Sequence, residues 1–298
     1  MCEIFGLSSA APVETNGWLR AFFAHGDEHP DGWGLAWRDG EEEPFLRKGP
    51  ERSLDSAELA SILSEPIAHP HLSAHRRQAS QGGLKPENCH PFAEHDVFGR
   101  TWVMAHNGAV MNDDLLPGYD IRSEGETDTE WVVLFLLDVL EEASERAGHP
   151  LGFEERFDAL ASAIAMLSAG NMLNLVIDDG TYLYAHTNTV SCSLRWLRLD
   201  GTVVVSTEAL DDGDWQPMPV CRLVAFRDGE MVGMGPRHVN CSWSGRTLAD
   251  YLSGAGPEPT HASDRPEAEH ALATGAATEG GRGGWGSRTR WPRRQAPT

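Results

Sequence analysis

The chain has 298 residues, 40% of them hydrophobic, enough to bury a full core as one large domain or two small ones. Its formal charge is −21, from 24 Lys and Arg against 45 Asp and Glu. A surface that acidic repels nucleic acid and anionic membranes, which argues against either as a partner. Five cysteines (Cys2, Cys89, Cys192, Cys221, Cys241) are scattered, without a CxxC pair. An odd count of this kind fits reduced thiols in a cytosol better than a disulfide framework. The opening MCEIFGLSSAAP has neither a basic segment nor a long apolar one, so it does not read as a signal peptide. The most apolar stretch, Trp131 to Leu140, is too short to span a bilayer and carries Asp138. The expectation is a soluble, cytoplasmic protein.

In chain order, runs of β-type residues occur at Glu3–Leu7, Gly34–Arg38, Phe45–Lys48 and Trp102–His106, then at Leu173–Ile177, Tyr182–His186 and Thr202–Ser206. Asp39-Gly40, Asp179-Gly180 and Asp200-Gly201 supply turn dipeptides between several of them. Two helices interrupt the strands. The first is predicted from about Thr129 to Arg146. The second carries Phe153, Phe157, Leu160, Ile164 and Leu167 on one face. Arg222–Phe226, the Asp228-Gly229 turn and Met231–Val232 read as a terminal hairpin. Strands flanking a helix pair suggest layered α+β rather than alternating βαβ units. From Ser253 to Thr298 the chain holds eight Gly, five Pro and few apolar side chains. That composition cannot offset the entropy of ordering, so 253–298 is expected to be a disordered tail behind a domain at 2–252.

Five segments could carry chemistry, and each has a plain structural reading beside it. Cys2 would become the first residue once Met1 is removed, placing a thiol and an α-amine on one residue. Both groups ionise near neutrality, at about 8.5 and 7.7–8.0, so the amine can take the thiol's proton and return it later. A penultimate cysteine is equally an ordinary buried one. In His29-Pro-Asp-Gly-Trp-Gly34, two glycines around Trp33 suggest a close backbone approach and a large wall residue, or simply a turn feeding a strand. His75-Arg-Arg-Gln-Ala-Ser-Gln-Gly82, followed by Asn88-Cys-His-Pro91, offers an arginine at a strand end that could grip a carboxylate, or a solvated surface arginine. His69, His71 and His75 lack acidic or thiolate companions, so no metal or other cofactor is expected. Ala105-His-Asn-Gly-Ala-Val110 sets an amide side chain beside a glycine N–H, two donors suited to an oxyanion; Asn-Gly is also a common turn. In Gly125-Glu-Thr-Asp-Thr-Glu130, Thr127 and Glu130 have capping-box spacing ahead of the helix. That puts Asp128 in its first turn, where a carboxylate is favourable and could also bind an ammonium group.

Taken in order, Met1-Cys2, the GWG strand, R-x-A-S-x-G, N-x-H-P, H-N-G and E-T-D-T-E resemble the glutaminase domain of class II glutamine amidotransferases. These are members of the N-terminal-nucleophile hydrolases. The likeness is to the small, stand-alone bacterial branch and runs over roughly residues 2–233. It implies a four-layer αββα sandwich, two antiparallel sheets between helical layers. It also implies roles: Cys2 as nucleophile with its own α-amine as base, and Asn107 and Gly108 as oxyanion hole. Arg77 would hold the substrate α-carboxylate and Asp128 the α-ammonium. Ser80, where the family often has Thr, would contact substrate, and Trp33 and His90 would shape the pocket. Arg76 adjoins Arg77, but the spacing to Ala79 and Gly82 favours Arg77.

The resemblance leaves three readings open. The chain hydrolyses glutamine to glutamate and ammonia, with a separate ammonia-accepting synthase or none. Alternatively it hydrolyses a γ-glutamyl amide of a larger amine, as the related hydrolase in ergothioneine biosynthesis does. Thirdly, it is a non-catalytic binding protein on the same fold.

Overall fold

The computed structural model describes residues 2–24, 29–40, 43–189, 194–243 and 246–247. All lie in one compact unit, Met1–Thr260. Cys192 and the tail expected from Ser253 lie outside the described residues.

Among the described residues, thirteen strands, numbered in chain order, build two antiparallel sheets. The first sheet has seven strands, in the order β11 (Gln216–Pro217), β9 (Arg195–Leu199), β10 (Thr202–Ser206), β1 (Glu3–Glu14), β4 (Ala68–Arg76), β2 (Trp33–Arg38) and β3 (Phe45–Gly49). The second has six, in the order β13 (Glu230–Met234), β12 (Arg222–Arg227), β8 (Leu183–Thr187), β7 (Met172–Asp178), β6 (Thr101–Ala109) and β5 (Phe92–His95). Helices α1 (Asn16–Ala24) and α2 (Ala57–Ser64) cover the first sheet; α3 (Asp128–Ala147) and α4 (Phe153–Leu167) cover the second.

The alternation of side chains along each strand creates three apolar layers. Phe5, Leu7, Trp33, Leu35, Leu72 and Ala74 face α1 and α2. Ile4, Val203 and Val205 of one sheet meet Ala105, Val176, Ala185 and Val224 of the other in the middle. Met104, Leu175 and Tyr184 face α3 and α4. This is the αββα sandwich.

The seven strand runs expected from the sequence and both long helices are present. So is the terminal hairpin, whose Asp228 and Gly229 both take positive φ, 52° and 76°, as a two-residue hairpin turn requires. Helices α1 and α2 have no counterpart among the expected elements. They are nine and eight residues long and give only two turns of periodicity.

Two expectations are corrected. Cys221 and Cys241 are joined by a disulfide, so these two thiols are not reduced. Their 20-residue separation carries no pattern, but the segment after β13 folds back, with His238 N–H donating to Cys221 O, and brings the Cα atoms to 5.9 Å. The capping box at α3 does not form. Thr127 is the N-cap residue but makes no side-chain capping bond. The Glu130 carboxylate turns back instead to accept the N–H groups of Glu124 (2.6 Å) and Gly125 (2.8 Å). Turned this way, the carboxylate accepts two N–H groups of the incoming loop, where the box would give it one.

Candidate active site

Residue parity decides what can meet Cys2. Ile4 lies between the sheets, so Cys2, two residues earlier and immediately before β1, points to the same face. On β4, His71 reaches across to the second sheet, which puts Ser73, His75 and then Arg77 on that face also. Arg76 points the other way. It is fully buried, paired with Glu3, and its guanidinium lies 4.9 Å from the Phe22 ring centre. Burial lowers its pKa to about 10, opposed by the charge of Glu208. Choosing Arg77 over Arg76, a matter of motif spacing in the sequence, is therefore a matter of which face each side chain takes.

Cys2 is half-buried, and its sulfur meets the backbone of Gln78, the residue after Arg77: the Gln78 N–H donates at 3.3 Å and the thiol donates to Gln78 O at 3.4 Å. Burial raises the thiol pKa; the Gln78 hydrogen bond and the Arg77 charge oppose this, while Asp128 adds to it. The charges of Arg77 and Asp128 thus both act on the sulfur, in opposite directions. A thiol held up in this way stays protonated at neutral pH, so attack needs a base beside it.

Arg77 is 2% exposed. Its terminal nitrogens donate to the carbonyls of Gln81 (2.7 Å), Gly83 (3.1 Å), Gly82 (3.3 Å) and Asp31 (3.4 Å), so the following loop wraps around the guanidinium. Asp128 opens α3. Its Oδ2 accepts the Val110 N–H at 2.9 Å, tying the helix to the end of β6. Thr129 makes a second tie, to His106 Nδ1 at 2.9 Å.

Asn107 alternates with Ala105 and so faces the gap between the sheets. It is 1% exposed; its Nδ2 makes one long contact, 3.4 Å to Thr207 Oγ1, and its Oδ1 has no partner among the described residues. Thr207 Oγ1 also accepts the Ile4 N–H at 3.1 Å, which links Asn107 to the strand that follows Cys2. Glycine is required next to it: a Cβ at Gly108 would stand 1.9 Å from Met172 O on β7.

The remaining expected residues are Trp33, His90 and Ser80. Trp33 is buried in the helix-side layer with its indole N–H on Glu51 (2.9 Å), so it supports the sheet and does not wall the gap between the sheets. The close approach expected of its glycines is made by Gly34, where a Cβ would lie 1.9 Å from His90 O. His90 is 6% exposed, packed on His75 at 4.1 Å between ring centres, with Nδ1 at 3.1 Å from His106 O. Burial, then the neighbouring His75 and His106, drives its pKa far below that of a free imidazole, so it is neutral. Ser80 is exposed on the loop beyond Arg77. Among the described residues no cluster of three or more His, Cys, Asp and Glu could hold a metal, and no helix is long and apolar enough to cross a membrane.

Three residues that position the site carry no sequence signal for that role. Asp31 accepts the Ala79 N–H on Oδ2 (2.7 Å), while its own N–H donates to Arg77 O (3.1 Å). Asn88 and Glu126 join the loops that lead to Arg77 and Asp128. Asp31, Asn88 and Glu126 fall inside motifs that draw attention to their neighbours, and Asp before Gly reads simply as a turn.

Cys89, fully buried, lies near enough for the Cys2 charge to act on it, and burial raises its thiol to about 11. Only a thiolate is nucleophilic. Cys2 is half-buried and Cys89 has no exposure, so brief treatment with iodoacetamide at neutral pH, followed by peptide mapping, is expected to alkylate Cys2 at least about tenfold faster than Cys89. Equal labelling would contradict this account of the two sulfurs.

Residues 1–198 match the family model for class II glutamine amidotransferases. Among curated proteins, YafJ of Escherichia coli (strain K12), whose name assigns it provisionally to the glutamine amidotransferases, is 30% identical over 200 residues, 66% of this chain and 76% of that one. Among solved structures, a Pseudomonas aeruginosa protein, itself named a predicted glutamine amidotransferase, superimposes with a TM-score of 0.55 at 23% identity, covering 78% of this chain and all of that one. Glutamine phosphoribosylpyrophosphate amidotransferase from B. subtilis superimposes with a TM-score of 0.59 at 17% identity, over 78% of this chain and 48% of the other. The two superpositions bear on the fold, and the sequence matches bear on descent: this chain belongs to the class II glutamine amidotransferase family.

Proposed function

We propose that the chain hydrolyses the side-chain amide of glutamine, with Cys2 as nucleophile after removal of Met1. The supporting observation is that the Cys2 sulfur is held on the backbone of Gln78, the residue after Arg77, where a cation, Arg77, and an anion, Asp128, both act on it, the pair of charges that an amino acid's carboxylate and ammonium require. In this reading the freed α-amine of Cys2 accepts the thiol proton, and the sulfur attacks the amide carbon. Oxygen becomes an oxyanion, met by Asn107 Nδ2 and the Gly108 N–H. Such a donor contributes about 2.7–4 kcal/mol to the transition state. The ammonium of Cys2 gives its proton to the departing nitrogen, which leaves as ammonia. Water, deprotonated by the same amine, then opens the γ-glutamyl thioester to glutamate and restores the thiol.

Arg77 would receive the substrate carboxylate by exchanging its two longest contacts, to Gly82 O and Asp31 O. A charge-assisted pair is roughly twice as strong as a neutral hydrogen bond. Ser80 would contact substrate from the same loop. The ammonia is either released as a free product or delivered to a separate synthase.

The test is a product assay on protein whose intact mass shows that Met1 is gone. Glutamine is expected to yield ammonia and glutamate in equal amounts, faster than γ-glutamyl amides of larger amines release theirs. Turnover confined to the larger amides would transfer the proposal to that substrate class. Turnover by protein that retains Met1 would overturn the role of the α-amine.

A further inference from the structure

Arg77 follows β4 and Asp128 opens α3, so their separation is not set by either element alone. One buried side chain spans the gap. Asn88 is wholly inaccessible, and its amide uses both ends: Oδ1 accepts the Glu126 N–H at 2.8 Å, while Nδ2 donates to Gly83 O and Glu126 Oε2, each at 3.0 Å. Gly83 O is also an acceptor for Arg77 Nη1 (3.1 Å), and the Gly83 N–H donates to Glu126 Oε2 (3.0 Å). A continuous path of hydrogen bonds thus runs from the Arg77 guanidinium through Gly83 and Asn88 to Glu126, two residues before Asp128.

The backbone on both sides is shaped to admit this amide. A Cβ at Gly82, where φ is +76°, would lie 2.8 Å from Asn88 Nδ2, and one at Gly125 would lie 2.8 Å from Asn88 Oδ1. Glycine at each flank lets two loops close on one side chain, which an ordinary surface asparagine would not need. An amide is also the one group of this size that can donate to a carbonyl and a carboxylate while accepting an N–H. Aspartate at 88 would set a second carboxylate against Glu126.

We infer that Asn88 is a positioning residue for substrate recognition: it clasps the Arg77 loop to the Asp128 loop and so fixes the distance at which one carboxylate and one ammonium of the same molecule are read. The inference rests on the proposed reading of Arg77 and Asp128. Asn88 itself touches neither charge. Glu126, exposed at the outer end of the clasp and paired with Lys85 at 2.8 Å, is its second half.

The experiment compares two electrophiles on the full-length protein. A diazoketone analogue of glutamine carries the α-carboxylate and α-ammonium; iodoacetamide carries neither. In Asn88→Ala, inactivation by the diazoketone is expected to slow by about tenfold to a hundredfold, the range for a displacement of about 1 Å in a positioned group. Cys2 alkylation by iodoacetamide is expected to stay within about twofold of wild type, and the KM for glutamine to rise more than kcat falls. Glu126→Ala, an exposed change that leaves the backbone bond to Asn88, is expected to show the same selective loss at smaller size and guards against misfolding of the first variant. If both electrophiles slow together, Asn88 is merely structural; if neither slows, there is no clasp. Wild-type protein that shows no preference for the diazoketone over iodoacetamide would remove the underlying reading of Arg77 and Asp128, a failure visible before any substitution is made.

Discussion

Replacing Cys2 by Ala is expected to lower glutamine turnover by on the order of a millionfold, the scale on which a hydrolase loses kcat when its activated nucleophile is deleted. The substitution removes one sulfur from a half-buried position where it makes polar contacts to the Gln78 backbone. The fold should therefore persist, and a circular dichroism spectrum matching wild type is part of the result. Cys2→Ser is the sharper variant. It keeps a hydroxyl in place of the thiol, but an alcohol is far less ionised near neutrality than even a raised thiol, so the loss should remain severe. Quenching wild type in acid during turnover should capture a γ-glutamyl adduct on the peptide bearing residue 2. Ammonia release by Cys2→Ala at more than about one part in a thousand of the wild-type rate would remove the nucleophile from the proposal.

The second large effect concerns stability. Between the sheets, Arg38 of β2 and Asp178 of β7 form a buried pair, 3% and 2% exposed, with Arg38 Nε on Asp178 Oδ1 at 2.7 Å and Nη2 on Asp178 O at 2.7 Å. Arg38 Nη1 donates to Thr101 O at 2.8 Å, and His71 Nδ1 meets Asp178 Oδ2 at 2.6 Å. The group is fully paired, which is the condition under which buried charges are tolerated. Asp178→Ala strands the Arg38 guanidinium and is expected to cost about 3–5 kcal/mol of unfolding free energy, measured by urea titration. Exchanging all three residues for apolar ones (Arg38→Met, His71→Leu, Asp178→Leu) should recover much of that, because no charge is then left buried. A triple variant as unstable as Asp178→Ala would contradict the explanation.

The same cluster sets a pH window. Burial alone would lower the His71 pKa, but the hydrogen bond and charge of Asp178 outweigh it and raise the value. Its stabilising contribution is full below the unfolded value, about 6.5, and fades as pH rises through the folded one. Burial would raise Asp178, but His71 and Arg38 outweigh it and lower the value. That contribution is full above about 3.9 and fades as pH falls through the folded pKa. The cluster therefore stabilises most between about pH 4 and 6.5, and Asp178→Ala should lose this dependence.

Much of the fold is legible in the sequence because it rests on local periodicity. Runs of β-type residues mark seven strands, the four-and-three spacing from Phe153 to Leu167 marks α4, and Asp228-Gly229 marks a hairpin. The short helices α1 and α2 hold too few turns for a period to emerge, and α1 includes Gly17. The Thr127–Glu130 spacing is a local signal that tertiary structure overrides, because Glu130 finds two N–H donors in the preceding loop. The Cys221–Cys241 bond has no local signal at all.

By itself the sequence determined the residue types of the site: a penultimate cysteine, an arginine after a strand, an Asn-Gly pair and an aspartate opening a helix, in an order that marks their family. It also determined the alternation that sorts side chains onto faces. Only the tertiary structure decided which face each strand turns toward the other sheet, and hence that Arg77 accompanies Cys2 while Arg76 and Trp33 support it from behind. Only the tertiary structure joined Asn88 to Glu126 and Arg38 to Asp178. These contacts bridge 38 and 140 positions of chain, and no periodicity of 2 or 3.6 residues reaches that far.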